Sequence, residues 1–203
     1  MRPFTDRVLQ DALAAHARWR AAGLVVPVSV NVAAPNLLDP DFPAAVAGHL
    51  AAAGLCPGAL CLEITEDAVM SDLTRSSGVL AELEALGIRL ALDDFGVGHS
   101  SLANLKLLPV HVLKLDRSFV MSMATDARDA AIVEAIVILG QAMALHVVAE
   151  GVERAEDLER LARLGCDVAQ GYHVARPMPE DEVAAWAGRW APRGRPRPRA
   201  LNL

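Results

Sequence analysis

Six short runs rich in Val, Ile and Leu recur along the chain: VPVSVNV (26–32), ALCLEITE (59–66), IRLALDD (88–94), HVLKLD (111–116), HVVAEG (146–151) and DVAQGY (167–172). Most are continuously apolar rather than alternating, the pattern of strands covered on both faces of a parallel sheet. Between them, apolar residues fall at helical spacing over 39–54, 76–87, 126–145 and 154–165. Three of these segments close on Gly, a good helix stop. The same periodicity predicts a helix over 4–23, before the first run, and another over 179–190, after the last. The order is a helix, then strand and helix repeated about six times. That order predicts a parallel α/β fold.

Composition fits this reading. Of 203 residues, 53% are hydrophobic and 22% charged, enough for one domain with a substantial core. Aromatics are only 4%, so the interior is built from Ala, Leu and Val. A net charge of −6 gives no general attraction to a nucleic-acid polymer or an acidic membrane, so an anionic substrate requires local positive charge, metal above all. Arg189, Arg193, Arg195, Arg197 and Arg199 crowd the C-terminal end, alternating with Pro, and leave the remainder more acidic still. We read 1–188 as one domain and 189–203 as a solvated, disordered tail. Cys56, Cys61 and Cys166 are odd in number and widely spaced, which favours buried thiols in a reducing compartment over disulfides or zinc. The first residues lack the apolar core of a signal peptide, and the region around 130–145 is interrupted by Glu134 and Gln141. The expectation is a cytoplasmic protein with no membrane segment.

The strands end in polar groups. In order these are Asn31, Glu63 with Glu66, Asp93 with Asp94, Lys114 with Asp116, Glu150 with Glu153, and Gln170. One such residue is ordinarily a helix cap or a satisfied turn. Six in succession are hard to explain that way, whereas the carboxyl ends of the strands of a (β/α)8 barrel converge on an active-site mouth. Asn and carboxylate oxygens, without His or Cys, suit hard divalent cations, Mg2+ or Mn2+. Adjacent Asp93 and Asp94 repel one another unless positive charge separates them, and two metal ions would do so. Two such ions can hold a phosphodiester, activate a water and stabilise the leaving oxygen. Lys114 would add positive charge, and Glu150 would accept the water's proton. For Lys114 alone, a plain salt bridge to Asp116 or another acid is an equal reading. The segment FGVGHSS, with Gly96, Gly98 and Ser100, supplies a turn above the mouth, and Glu66 is placed to hydrogen-bond it.

VSVNVAAPNL, LEITED, LALDDFGVGHSSL, LPVHVLKLDRSFV, VVAEGVE and LGCDVAQGYHVARPMP together resemble the EAL-domain phosphodiesterases, from about Phe4 to Pro179. The resemblance implies a (β/α)8 barrel that hydrolyses the bacterial second messenger cyclic di-GMP to linear pGpG with two Mg2+ or Mn2+ ions. It implies Asn31, Glu63, Asp93 and Asp94 as metal ligands, Lys114 at the nucleophilic water and Glu150 as the catalytic carboxylate. Glu153, Gln170 and Asp116 would support these, Glu66 would steady the glycine loop, and Arg176 with Pro177 would be structural. It also implies pairing into a homodimer near the glycine loop and an upstream sensory or regulatory domain.

The chain departs from the family pattern in places. His99 stands where an aromatic Tyr is usual, His111 where Asp is frequent, and NVAAP replaces NLS. The Glu-Ala-Leu strand that names the family, whose Glu is also a metal ligand, is expected ahead of the helix over 4–23 and is not found there. The expectation is therefore an incomplete barrel, about six of eight strands, with impaired turnover as read from Met1. Two other readings stay open: a silent cyclic di-GMP-binding or protein-interaction module, and a barrel of the enolase type with Lys114 as base.

Overall fold

The computed structural model describes residues 3–97 and 102–190. Gly98, His99, Ser100, Ser101 and the basic tail from residue 191 lie outside the described residues. Within them the chain runs α1 (Pro3–Ala21), β1 (Val28–Asn31), α2 (Ala34–Leu37), α3 (Phe42–Ala52), β2 (Leu60–Thr65), α4 (Glu66–Met70), α5 (Leu73–Ala85) and β3 (Arg89–Phe95). It continues with α6 (Leu102–Leu105), β4 (Val112–Leu115), α7 (Arg117–Ser122), α8 (Ala127–Ala142), β5 (His146–Ala149), α9 (Ala155–Leu164), β6 (Val168–Ala169) and α10 (Glu180–Arg189). Every strand predicted from the apolar runs is present, as is every predicted helix. Arg189, assigned to the tail by composition, instead closes α10.

The chain divides into two compact units, one of residues up to Leu90 together with those from Met178, the other Ala91–Pro177. In the first, β1 and β2 pair in parallel from Val28 opposite Leu60 to Asn31 opposite Glu63. β1 is one strand that does not share the pattern of burial on both faces read for most of the runs. Val28 and Val30 are buried while Ser29 and Asn31 are exposed, because its polar residues occupy alternate positions and a strand's side chains alternate in direction. β2 matches the expectation, with Leu60, Cys61, Leu62 and Ile64 buried. Leu9 and Leu13 of α1 enter the core, and Thr5 accepts a buried hydrogen bond from Asn36 Nδ2 at 2.8 Å. α10 buries no residue. It is held to α1 by Arg18, whose Nε donates to Glu180 at 2.7 Å, and by the Trp19 indole N–H, which donates to the Glu180 carbonyl at 2.9 Å.

In the second unit the remainder of β3 pairs with β4, β4 with β5 and β5 with β6, all parallel. Leu113, Leu115, Val147 and Ala149 are fully buried. α8 lies close on β5 at Gly140, where a Cβ would come within 2.2 Å of Val147 Cγ2. α9 ends at Gly165 in the left-handed conformation, the stop predicted for it. Asp157 on α9 is only 2% exposed, and Arg154 Nε donates to it at 2.9 Å. The three cysteines do not share one environment. Cys61 is buried, Cys166 is partly buried with its thiol pushed up to about 11 by desolvation, and Cys56 is exposed, against the expectation of three buried thiols. No helix among the described residues is long and apolar enough to cross a membrane.

Candidate active site

Lys114 is the centre of the second unit's polar cluster. It sits in β4, whose four residues are all buried, and is 4% exposed. Its Nζ lies 3.0 Å from Asp93 Oδ1 and 2.7 Å from Glu150 Oε1. The salt-bridge reading from sequence, Asp116 or another acid, thus resolves to the acids of the flanking strand ends and not to Asp116. Asp116 instead caps α7, accepting from the Ser118 backbone N–H at 2.9 Å. An ammonium buried this deeply needs compensating charge, and two carboxylates supply it.

Backbone irregularity brings the acids together. Leu92 pairs with Leu113, but the next pair is Phe95 with Leu115, so β3 carries one more residue than β4 over this stretch. The bulge holds Asp93 and Asp94. Asp94 has φ of 56°, uncommon for a non-glycine residue, and its N–H donates to Asp93 Oδ1 at 3.0 Å. In a regular strand neighbouring side chains leave opposite faces. Here one carboxylate oxygen from each of Asp93, Asp94 and Glu150 lies within 4.8 Å of the others.

Desolvation is the largest cause that raises the Asp94 pKa, followed by the charges of Asp93 and Asp116, while Lys114 and Arg117 pull it down. Crowded anionic oxygens of this kind fit a hard divalent cation by donor chemistry. Arg117, which follows the Asp116 cap, was not singled out from sequence. It was hidden because it follows the strand and acts on Asp94 through space.

Glu150 stands one residue beyond β5, its N–H donating to Leu115 O at 3.1 Å. Since Lys114 pairs with Val148, that extension brings the Glu150 side chain to the ammonium. Glu153 and Gln170 are exposed, and the Gln170 carbonyl accepts from Val152 N–H at 3.0 Å. Arg176 stacks over the Tyr172 ring, 4.6 Å from its centroid. Gly96 adopts φ of 102°, as its place in the turn after the acids requires. Gly98 and Ser100 fall outside the described residues.

In the first unit, Asn31 and Glu63 are register partners at the ends of β1 and β2 and line one open cavity of about 530 Å3 with Thr5, Thr65 and Asp67. Glu66 is buried at the start of α4, where Thr65 caps the helix by accepting from Ala68 N–H at 3.3 Å. Thr65 and Asp67 were not among the candidates, although both adjoin Glu63 and Glu66 in LEITED.

Residues 1–177 match the family described as EAL domain. The chain belongs to the EAL domain family. The bifunctional diguanylate cyclase/cyclic di-GMP phosphodiesterase MucR of Pseudomonas aeruginosa is 42% identical over 170 residues, 84% of this chain and 24% of MucR. Among solved structures, the PaMucR phosphodiesterase in complex with c-di-GMP superposes with a TM-score of 0.83 at 40% identity, over 88% of this chain and 72% of that one. The EAL domain of Mycobacterium smegmatis DcpA gives 0.84 at 39% identity, over 90% and 82%. This chain therefore spans about a quarter of the full-length relative. The likeness shows the fold expected from sequence, that of the EAL-type (β/α)8 barrel, of which the described residues supply six strands.

Proposed function

We propose that this EAL domain is a cyclic di-GMP phosphodiesterase, hydrolysing one phosphodiester of the cyclic dinucleotide to leave linear pGpG. The observation that carries the reading is the convergence of Asp93, Asp94 and Glu150 within 4.8 Å around the site held by Lys114. Family membership and the activity named for MucR support it.

Asp93, Asp94 and Glu150 would hold a divalent cation, Mg2+ or Mn2+, and Asn31 and Glu63 present further oxygen donors on their own unit. Bound there, such ions neutralise phosphate charge and acidify a water; we propose two of them. Lys114 offsets negative charge where the phosphodiester would lie and keeps Glu150 and Asp93 oriented. Glu150 takes the proton of a water adding to phosphorus as the ester oxygen departs. Asp116, Glu153, Gln170, Glu66 and the glycine turn of Gly96, Gly98 and Ser100 would act in support.

A cytoplasmic location, homodimer formation and control by a sensory or regulatory domain belong to the same proposal. The greater length of MucR supports the last of these. The test is release of linear pGpG from cyclic di-GMP with Mn2+ present, by the protein and by its Glu150→Gln and Lys114→Met variants. Metal-dependent release that both substitutions abolish is the expected result. Tight nucleotide binding with no release, with or without metal, would replace this reading by that of a silent receptor.

A further inference from the structure

Glu150 is followed by Gly151, and the surroundings of that glycine are unusually close. A Cβ built on Gly151 would lie 2.5 Å from Arg117 Cβ and 3.2 Å from Arg117 Cα, with Met121 Cγ at 3.5 Å. The turn after β5 is therefore pressed against the side of α7, backbone to backbone. Gly151 also has φ of 70°, which a residue with a side chain adopts at a cost.

Other contacts hold the same turn in place. Glu150 N–H donates to Leu115 O at 3.1 Å, Val152 N–H to Gln170 O at 3.0 Å, and His173 N–H to Val152 O at 2.9 Å. Across the turn, Gly171 leaves no room either, since a Cβ there would meet Val152 N and O at 2.3 Å. Further along, Arg154 Nη2 donates to Met121 O at 3.3 Å, tying the far end of the turn to the end of α7. α7 itself starts at Arg117, three residues after Lys114, and is fixed there by the Asp116 cap. Lys114 and the seat of Gly151 thus belong to one rigid stretch, residues 114–122.

We infer that Gly151 is a positioning residue for Glu150: its missing side chain lets the turn seat on Arg117, and that seat sets the 2.7 Å contact of Glu150 with Lys114. The relationship deepens the phosphodiesterase reading, because Glu150 is its proposed proton acceptor. It is read without metal or nucleotide, so the two can fail separately.

The chain's lysines are Lys106, which is exposed, and Lys114, which is buried. Acylation by acetic anhydride in EDTA, followed by mass spectrometry, gives the reactivity of Lys114 with Lys106 as internal reference. In the native protein Lys114 should be strongly protected. Gly151→Ala should raise the Lys114 to Lys106 ratio by about tenfold, because the added methyl drives the turn off α7 and draws Glu150 from the ammonium. Arg117→Gly removes the opposing Cβ, so the pair Arg117→Gly/Gly151→Ala should return the ratio to within about twofold of Arg117→Gly alone. That reversal separates positioning through this contact from a general loss of structure, which removing a second side chain would only worsen. A Gly151→Ala protein that fails to fold while the double variant folds with Lys114 protected supports the inference equally. Unchanged Lys114 protection in Gly151→Ala overturns it. So does a double variant that is unfolded or leaves Lys114 exposed.

Discussion

Lys114 Nζ in β4 and Glu150 Oε1, one residue past the end of the neighbouring parallel strand β5, stand 2.7 Å apart, with the lysine almost wholly removed from water. A pair so placed contributes little by existing but costs much to break, since each group loses compensating charge where water cannot fully replace it. Replacing Lys114 by Met leaves Glu150 and Asp93 facing each other and partly dehydrated. We expect a loss of about 3 kcal/mol, near the lower bound for breaking a buried pair because both acids keep some contact with solvent. Urea denaturation checks this. A variant with the native midpoint and slope would show that the ammonium is not what holds the two acids together.

Asp94 binds its proton more tightly in the folded chain than in the unfolded one, chiefly through desolvation and then through Asp93. The stability linked to that proton is fully present below the ordinary carboxylate range and is lost as pH rises through the raised folded value. At neutral pH the ionised Asp94 is consequently a small burden on the metal-free fold. Asp94→Asn should raise the thermal midpoint by about 2 °C in EDTA at pH 7, and by less toward pH 4. Asn accepts the positive φ at this position, so the backbone need not change. A fall in midpoint at pH 7 would contradict the assigned sign.

The same repulsion should reverse when a divalent cation is supplied. Mn2+ at a hundredfold excess over its dissociation constant adds about 2.7 kcal/mol, an increase of roughly 5–10 °C in midpoint for a chain of this size. Asp93→Asn and Glu150→Gln should each remove most of that increase. An equal rise in all three proteins would place the ion elsewhere.

Away from these acids, Gly140 is where α8 reaches β5. Ala at 140 would set its methyl 2.2 Å from Val147 Cγ2 and should cost about 2 kcal/mol by overpacking. Trimming Val147 to Ala in that background should recover part of the loss, although Val147→Ala alone is destabilising. Simple addition of the two effects in a denaturant titration would argue against direct contact.

Much of the architecture was legible because apolar runs and helical spacing report burial directly, as in LALDD for β3 and HVLKL for β4. The four helices that went unread, α2, α4, α6 and α7, have four to six residues and complete too little of a period to show. β1 departs from the continuously apolar pattern of most runs, and its alternating Ser29 and Asn31 are the polar positions that reach solvent. Within the candidate site, residue types at strand ends pointed to Lys114, Asp93 and Glu150, yet not to which acids the lysine would hold. Asp116 lost that role because a nearer demand, the open N-terminus of α7, takes its carboxylate. The seat of Gly151 on Arg117 could not be read, since it joins residues 34 positions apart and leaves no periodic trace.

The extra residue in β3 also bears on transplanting this chemistry to other scaffolds. Grafting two consecutive aspartates onto the end of a straight ladder would send one acid into the sheet's far side, and no cation could collect both. A faithful copy must carry the local reversal of the chain at Asp94 and the glycine that follows at Gly96. In this protein the kink, as much as the pair of side chains, is what brings the carboxylates together.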